Sequence, residues 1–442
     1  MSPPLSRITS DERLPAQADV VVIGGGVIGV SAAYHLAKKG HSVALIEKGH
    51  VGAEQSSRNW GWCRQQGRAR AEIPLAREAL RLWDDMQNDA GVDAGFRRTG
   101  VLFLTKKPEE LAAWEKWAEI AREQQVHSSI LSPAEVAERM PGNVDAWIGG
   151  LHTPSDGRAE PSMAVPALAT AARKHGVTIH QSCAARGLET QGGQVSAVVT
   201  EKGTIRTQSV LLAGGAWSSL FCRRHGIELP IGLVNATACR TTPAPEITMG
   251  ALGTDFYCIR RRLDGGFTLA LRGRGTVEVS PDLFRYARTF WPTYKHRRKG
   301  LKLSFGKSFF DQIMRGRNWS LDKPSPFEAE RVRDPAPDMS LVNSALAALI
   351  ESNPELKGIE VAEAWGGTID TTPDTIPVIS PVDALPGFYL ATGFSGHGFG
   401  IGPAAGKLAA DIVRGDAPLV DPAAYSHLRL IDGRPLAPVT LF

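Results

Sequence analysis

Apolar positions change their spacing along the chain, and the changes divide it into blocks. Between residues 18 and 47, DVVVIGG is a short β-branched run that suits a buried strand. SAAYHLAKKG follows with helical propensity and stops on Gly40, and HSVALIEKG resumes as a second buried strand. Together they predict a βαβ unit. Residues 74 to 140 carry a different period. PLAREALRLWDDMQNDAG and PEELAAWEKWAEIAREQQV are amphipathic at helical spacing, with proline in their first turns. Ser132 and Glu135 in SPAEVAERM form a capping box that opens a third helix. This block reads as a helical insertion, not as a continuation of the sheet.

From about residue 150 the α/β pattern returns. PSMAVPALATAARKHG predicts a helix, while VTIHQSCAARGLE, QVSAVVTEKG and TIRTQSVLLAGGAW are strand-like. Residues 230 to 363 change again, from the β-like DFYCIRRRLDGGFTLALRGR to a basic, aromatic stretch, and the tail from 364 closes with a strand, a glycine-rich loop and a helix. The expected architecture is α/β and α+β in two discontinuous domains. One takes residues 1–73, 150–229 and 364–442; the other takes 74–149 and 230–363.

Composition narrows this little. With 442 residues, 43% apolar and 22% charged, the chain is ordinary globular material with room for more than one domain. Its 50 Lys and Arg against 46 Asp and Glu leave +4, too mild a charge for a nucleic-acid partner. The five cysteines are scattered with no C-x-x-C pair, and an odd number in so long a chain favours a reducing compartment. No Cys/His cluster has metal-ligand spacing, so no metal is expected. The polar, proline-bearing start does not read as a signal peptide, and no apolar run reaches membrane-spanning length. A cytoplasmic protein is the expectation, with peripheral membrane contact left open.

The chemistry concentrates in two glycine loops. In VVIGGGVIG, Gly24, Gly26 and Gly29 give G-x-G-x-x-G between strand and helix. The first glycine allows the tight turn, the second lets a pyrophosphate approach the backbone, and the third lets the helix pack on the strand. The helix N-terminus offers free N–H groups and a positive dipole end to phosphates. Glu47 ends the second strand, where a carboxylate can accept ribose hydroxyls. Strand, turn, helix, strand and acid in that order point to a bound dinucleotide. They do not separate FAD from NAD. At the other end GFSGHGFGIGPAAG holds six glycines in fourteen positions and leads into the helix PAAGKLAADIV. A bare backbone followed by a helix N-terminus suits the electron-rich edge of a flavin.

Four stretches together carry a resemblance: VVIGGGVIGVSAAYHLAKKGHSVALIEKG, DGRAEPSMAVPALATAARKHGV, VLLAGGAW, and TPDTIPVIS with GFSGHGFGIGPAAG. From about residue 18 to 415 the chain resembles the FAD-dependent amine oxidoreductases of the D-amino acid oxidase, glycine oxidase and sarcosine oxidase group. The pattern SSRNWGW…RQQGR with AWGGTID looks most like the opine oxidase and D-amino acid dehydrogenase-like branch. The resemblance implies a Rossmann-like FAD domain interleaved with a substrate domain on an antiparallel sheet. The first glycine loop would hold the pyrophosphate and the second the isoalloxazine ring. It assigns cofactor contacts to Gly24, Gly26, Gly29, Glu47, Ser56, Ser57, Arg58, Asn59, Ala185, Gly215, Trp217, Gly396, His397 and Gly398. The implied reaction is hydride transfer from the carbon beside nitrogen to flavin N5, giving an imine that water hydrolyses.

Three departures from the family pattern matter. Gly367 stands near the position of the cysteine that bonds the flavin in sarcosine oxidases, so non-covalent FAD is expected. No arginine precedes T-P-D, and Gly400 replaces a carboxylate-binding lysine. The substrate's carboxylate clamp has therefore changed. Arg64 in WGWCRQQGR lies close to a family arginine that binds carboxylate, and a guanidinium fork suits that contact. Tyr257 and Arg260 in DFYCIRRR lie on the strand where relatives place substrate contacts, and His397 is a candidate electrostatic neighbour of the flavin. Trp60, Trp62 and Trp365 are candidates to wall an amine site. Thr268 or a neighbour occupies the region of an oxygen-activating lysine, which favours a weak oxidase or a dehydrogenase.

RYARTFWPTYKHRRKGLKLSFGKSFF, residues 285–310, combines aromatics with cations, suiting a partner subunit or an anionic membrane surface as well as a solvated helix. The alternative reading of the whole chain is a non-catalytic or partner-dependent FAD-binding subunit of an amine oxidase or dehydrogenase complex.

Overall fold

The computed structural model describes residues 3–89, 91, 93–305, 309 and 319–436. Val20–Ile23, four consecutive buried residues, lies inside a six-stranded sheet. Val43–Ile46 and Val210–Leu212 flank it, both parallel. Thr178–His180 extends the first side and Phe388–Thr392 the second, again parallel, and Val378–Pro381 closes that edge antiparallel. Val20 and Val22 face a core shared with helices Val27–Lys38, Pro161–Lys174 and Gly398–Arg414. Val21 and Ile23 face a second core beneath the antiparallel strands Ala185–Gln191, Gln194–Thr200 and Gly203–Arg206. With both faces covered, the strands read as unbroken apolar runs.

The turn after Val20–Ile23 needs its glycines for steric reasons. Gly24 has φ +114°, and a Cβ there would stand 2.3 Å from the Ala213 carbonyl oxygen. A Cβ on Gly29 would stand 2.0 Å from the Gly24 carbonyl oxygen. Turn, helix and the strand ending at Leu212 therefore approach one another as backbone on backbone. The two glycine-loop helices also cross closely: Ser31 Oγ donates to the Pro403 carbonyl at 3.0 Å. This crossing brings the N-termini of Val27–Lys38 and Gly398–Arg414 to one side of the sheet.

The other large sheet runs in the order Leu301–Ser304, Gly275–Glu278, Gly232–Thr241, Phe267–Ala270, Cys258–Arg261, Ala251–Gly253, Val101–Thr105, Gly149–Thr153, Ser129–Leu131, with Val361–Thr371 also pairing Gly232–Thr241. It is antiparallel except at two junctions. The expected combination of a parallel Rossmann-like sheet and a separate, largely antiparallel one is what the chain forms.

The block from 74 to 140 does contain helices, Ile73–Asp89, Pro108–Glu123 and Pro133–Arg139, the last opened by the Ser132–Glu135 capping box. It is not purely a helical insertion, because Val101–Thr105 and Ser129–Leu131 are strands of the mixed sheet. All five residues of VLFLT are buried, so no apolar–polar alternation marked them. Two expected domain limits fall inside strands: Gly149–Thr153 and Val361–Thr371 both hydrogen-bond into the mixed sheet. Of the basic stretch 285–310, residues 306–308 and 310 lie outside the described residues.

Candidate active site

A long cleft follows from this arrangement. Its first cavity encloses about 1210 Å³ including its open mouth, and it is lined by Gly24, Gly25, Gly26, Glu47, Ala185 and Gly215 among others. Glu47 is fixed at the floor: Gly25 N–H donates to one carboxylate oxygen at 2.7 Å and Gly49 N–H to the other at 2.7 Å. Burial nevertheless raises its pKa. Ser56 Oγ accepts the Val27 N–H at 2.9 Å, so this loop caps the first glycine-loop helix. Asn59 Nδ2 donates to the carbonyls of Gln55 and Ser56 and holds the loop in a tight turn. Trp217, on the cleft wall, donates its indole N–H to Glu54 at 3.1 Å, with the Lys48 ammonium 4.1 Å from its ring centre. Gly396 and Gly398 line the same cavity.

A second, larger cavity of about 2860 Å³ begins where the first ends, and Gln55, Asn59, Gly396 and Phe399 line both. Its walls include Trp60, Trp62, Arg64, Arg68, Arg272 and His397. Arg64 donates to the Gln66 carbonyl, and its guanidinium carbon lies 5.9 Å from the Trp62 ring centre and 5.5 Å from that of Phe103. Burial, then the neighbouring Arg68, lowers its pKa to about 9. Asp156 underpins the segment, accepting the N–H groups of Gln65 and Gln66 at 2.8 and 3.1 Å. Burial lifts its carboxyl to about 6. Arg272, by contrast, is already held by Glu110 at 2.7 Å and by Asp255.

Several expected site residues lie elsewhere. Tyr257 is fully buried, with Asn353 Nδ2 donating to its hydroxyl at 3.3 Å, and does not line the cleft. Arg260 is also fully buried: it pairs with Glu160 at 2.7 Å and donates to the Trp60 carbonyl and to Thr268 Oγ1. Its guanidinium faces the interior, so the expectation that Tyr257 and Arg260 contact substrate is corrected. Ser57 is buried and donates to the Glu54 carbonyl. Gly29 packs under the turn, away from the cavity. Arg58 is buried beside the second cavity, where it binds Asp334 at 2.9 Å and the Gly366 carbonyl at 2.9 Å. It ties the loop to the strand Val361–Thr371. Trp365 does the same from the other side, donating to the Arg58 carbonyl at 3.0 Å.

The family described as FAD dependent oxidoreductase matches residues 19–412. The chain belongs to that family. Its structure superposes on L-amino acid deaminase from Proteus myxofaciens, solved in complex with anthranilate, with a TM-score of 0.93, 32% identity and 97% of each chain covered. Glycine oxidase of Pseudomonas putida is 27% identical over 424 residues, which cover 92% of this chain and 97% of that one. Mitochondrial dimethylglycine dehydrogenase of Rattus norvegicus is 25% identical over 419 residues, 92% of this chain. That alignment takes in 45% of the rat protein, and the chain spans less than half the length of the first mammalian relatives it matches.

The cleft fits the cofactor of an FAD dependent oxidoreductase in three ways. The helix Val27–Lys38 starts from Gly26, which has no side chain to cover its end, and with Ser56 taking only the Val27 N–H its positive dipole end still faces the first cavity. Glu47 is pinned by two N–H groups and keeps lone pairs for ribose hydroxyls. At the junction of the cavities Gln55 Oε1 is buried with no hydrogen-bond partner, a polar atom that a ligand there would satisfy.

Sequence reasoning missed Arg68 and Glu72. Glu72 is fully buried, and its Oε1 lies 3.4 Å from His397 Nδ1; Arg68 lines the cavity with one guanidinium nitrogen buried and unpartnered. The available signal was their i, i+4 spacing in RQQGRARAE, just ahead of an apolar helix and four residues after Arg64.

Proposed function

We propose that the protein is an FAD-dependent amine oxidoreductase that oxidises the C–N bond of an amino acid or N-substituted amino acid. The continuity of the two cavities carries this reading: one offers the glycine turn, Glu47 and a helix N-terminus, and the other offers cations and aromatic walls. Gly24, Gly26, Glu47, Ser56, Asn59, Ala185, Gly215, Trp217, Gly396 and Gly398 would hold FAD, with Gly29, Ser57 and Arg58 supporting them from behind. No cysteine lines either cavity among the described residues, which supports non-covalent FAD. Bound FAD supplies the two-electron acceptor for a hydride from the carbon beside nitrogen.

The protein's own residues bind and orient the amine. Arg64 is the group placed to take a carboxylate, because it reaches the cavity with one carbonyl acceptor and no anionic side chain hydrogen-bonded to it among the described residues. A fixed guanidinium also aligns the reacting carbon, and alignment is a large part of such catalysis. Trp60 and Trp62 exclude water from the amine side. The relatives' names span N-methylated and unmethylated amino acids, so the choice between them is made by assay. Five free, buried cysteines suit a reducing compartment such as the cytoplasm.

A second reading, dependence on a partner subunit or a membrane surface, is supported by Trp291 and Phe305 within the basic segment and Phe284 just before it, exposed by 61, 74 and 61%. Among the described residues no helix is long and apolar enough to cross a membrane. Anaerobic addition of amino acids to the FAD-loaded protein tests the first reading. Bleaching of the flavin absorbance supports it; unchanged absorbance with every amine, until a partner is added, supports the second.

A further inference from the structure

His397 is the N-cap of helix Gly398–Arg414 and lines the second cavity but not the first. The ring is 11% exposed, whereas Glu72 behind it is wholly buried. A carboxylate only accepts hydrogen bonds, so the proton between them belongs to His397 Nδ1. That tautomer leaves a lone pair on Nε2, which no described protein group hydrogen-bonds. Glu72 itself is held ahead of helix Ile73–Asp89, its N–H donating to the Ala69 carbonyl at 2.8 Å. The charged and titratable neighbours are Arg68 and Arg64 on the preceding loop and Tyr425, whose hydroxyl donates to the Ala71 carbonyl. Burial, then Arg68, lowers the His397 pKa to about 4. Burial also works against the Glu72 carboxylate, but His397 and Arg68 outweigh it and hold Glu72 below the ordinary value. The free site therefore presents a neutral imidazole, backed by an ionised carboxylate, at neutral pH.

An amine reaches the site as its ammonium form, which has no lone pair. The C–N bond becomes C=N only after one N–H proton has left. We propose that His397 Nε2 accepts that proton and that Glu72 is the positioning residue that turns this nitrogen toward the cavity. The inference rests on the amine-oxidation reading above. The N–H bond breaks, its electron pair stays on nitrogen, and the proton passes to Nε2. The lone pair then supports departure of the hydride, and after product leaves, His397 returns its proton to water. A carboxylate bound at Arg64 offsets part of the positive field around His397. The burial and arginine charge that weaken the imidazole act equally against the bound ammonium. The two groups' proton affinities therefore approach one another in the site, and the transfer is no longer uphill by their difference in water. The buried Glu72 oxygen without a partner provides a second acceptor near the imidazolium that forms.

Two measurements test this. In FAD-loaded protein, the second-order rate of anaerobic flavin reduction is followed from pH 6.5 to 9.5. The wild type is expected to vary less than about threefold up to pH 8.5, because the site itself takes the proton. His397→Gln is expected to fall by at least ~100-fold at pH 6.5 and to recover about tenfold per pH unit, since only amine already neutral in solution reacts. Glu72→Gln should fall about tenfold at pH 6.5 and converge on wild type at high pH, and Glu72→Asp should restore part of the loss. Flavin content and Tm of each variant separate these effects from misfolding. In FAD-free protein, ¹⁵N NMR of the imidazoles should show His397 as the Nδ1–H tautomer, independently of turnover. Parallel pH profiles for wild type and His397→Gln, or an Nε2–H tautomer, would overturn the inference while leaving amine oxidation intact. Flavin that no amine reduces would overturn both.

Discussion

Replacing Arg64 by Leu removes the guanidinium that faces the substrate cavity and keeps an apolar side chain against Trp62 and Phe103. A charge-assisted hydrogen bond is worth about 1.5–3 kcal/mol, and losing one partner of a desolvated charge pair costs about 2–5. Taking about 2–4 kcal/mol, at ~1.4 kcal/mol per factor of ten, the Kd of a carboxylate-bearing amine should rise ~30- to 1,000-fold. The matching decarboxylated amine should change by less than about threefold. Stability should move the other way. The Arg64 pKa is lowered to about 9 by burial and Arg68, so the unfolded chain binds more protons between pH 9 and 12.5. Stability then rises with pH across that window, and at neutral pH the cost of the buried cation is present in full. Arg64→Leu should consequently be no less stable than wild type, read as Tm at pH 7. Rapid-mixing titration of flavin reduction gives Kd for both amines. Equal losses for both, or no loss for the carboxylate-bearing one, would refute the placement of the carboxylate at Arg64.

Three further outcomes follow from the same geometry. Gly29→Ala forces a Cβ to within 2.0 Å of the Gly24 carbonyl. It should lower stability by about 1–3 kcal/mol and abolish FAD retention on gel filtration. Glu47→Gln loses one of the two backbone N–H bonds and the ribose acceptor. Its FAD Kd, read by fluorescence quenching, should rise ~10- to 100-fold. Arg260→Leu removes the nearer of the two cations on the buried Glu160 carboxylate and leaves only Arg158 at 3.7 Å. It should cost about 3–5 kcal/mol in urea unfolding, and in protein that still folds it should alter carboxylate-bearing and neutral amines alike.

How much of this was legible depended on whether a residue's role was local. The strand–turn–helix at 20–38 carries its own reasons, because the Gly24 turn and the stop at Gly40 are decided within a few residues of chain. The Ser132–Glu135 box is equally local. Arg260 failed because its strand is covered on both faces, so a cation next to Arg261 gave no sign of which way it points. Tyr257 failed for the same reason, its hydroxyl going to asparagines ninety-six and 114 residues away. Glu72 and His397 meet across 325 residues, and only the packing of helix Ile73–Asp89 on helix Gly398–Arg414 joins them. The cleft itself was foreseen as two glycine loops; that one loop opens on two connected cavities is a property of the folded chain.

On the reading proposed above, one continuous cleft holds FAD against an amine. The visible spectrum of the purified, FAD-loaded protein, taken anaerobically before and after a panel of D- and L-amino acids, N-alkyl amino acids and opines, tests it most directly. A bound flavin whose absorbance bleaches with at least one carboxylate-bearing amine is the expected result. A protein that retains no FAD, or a bound flavin that only carboxylate-free amines bleach, would contradict it.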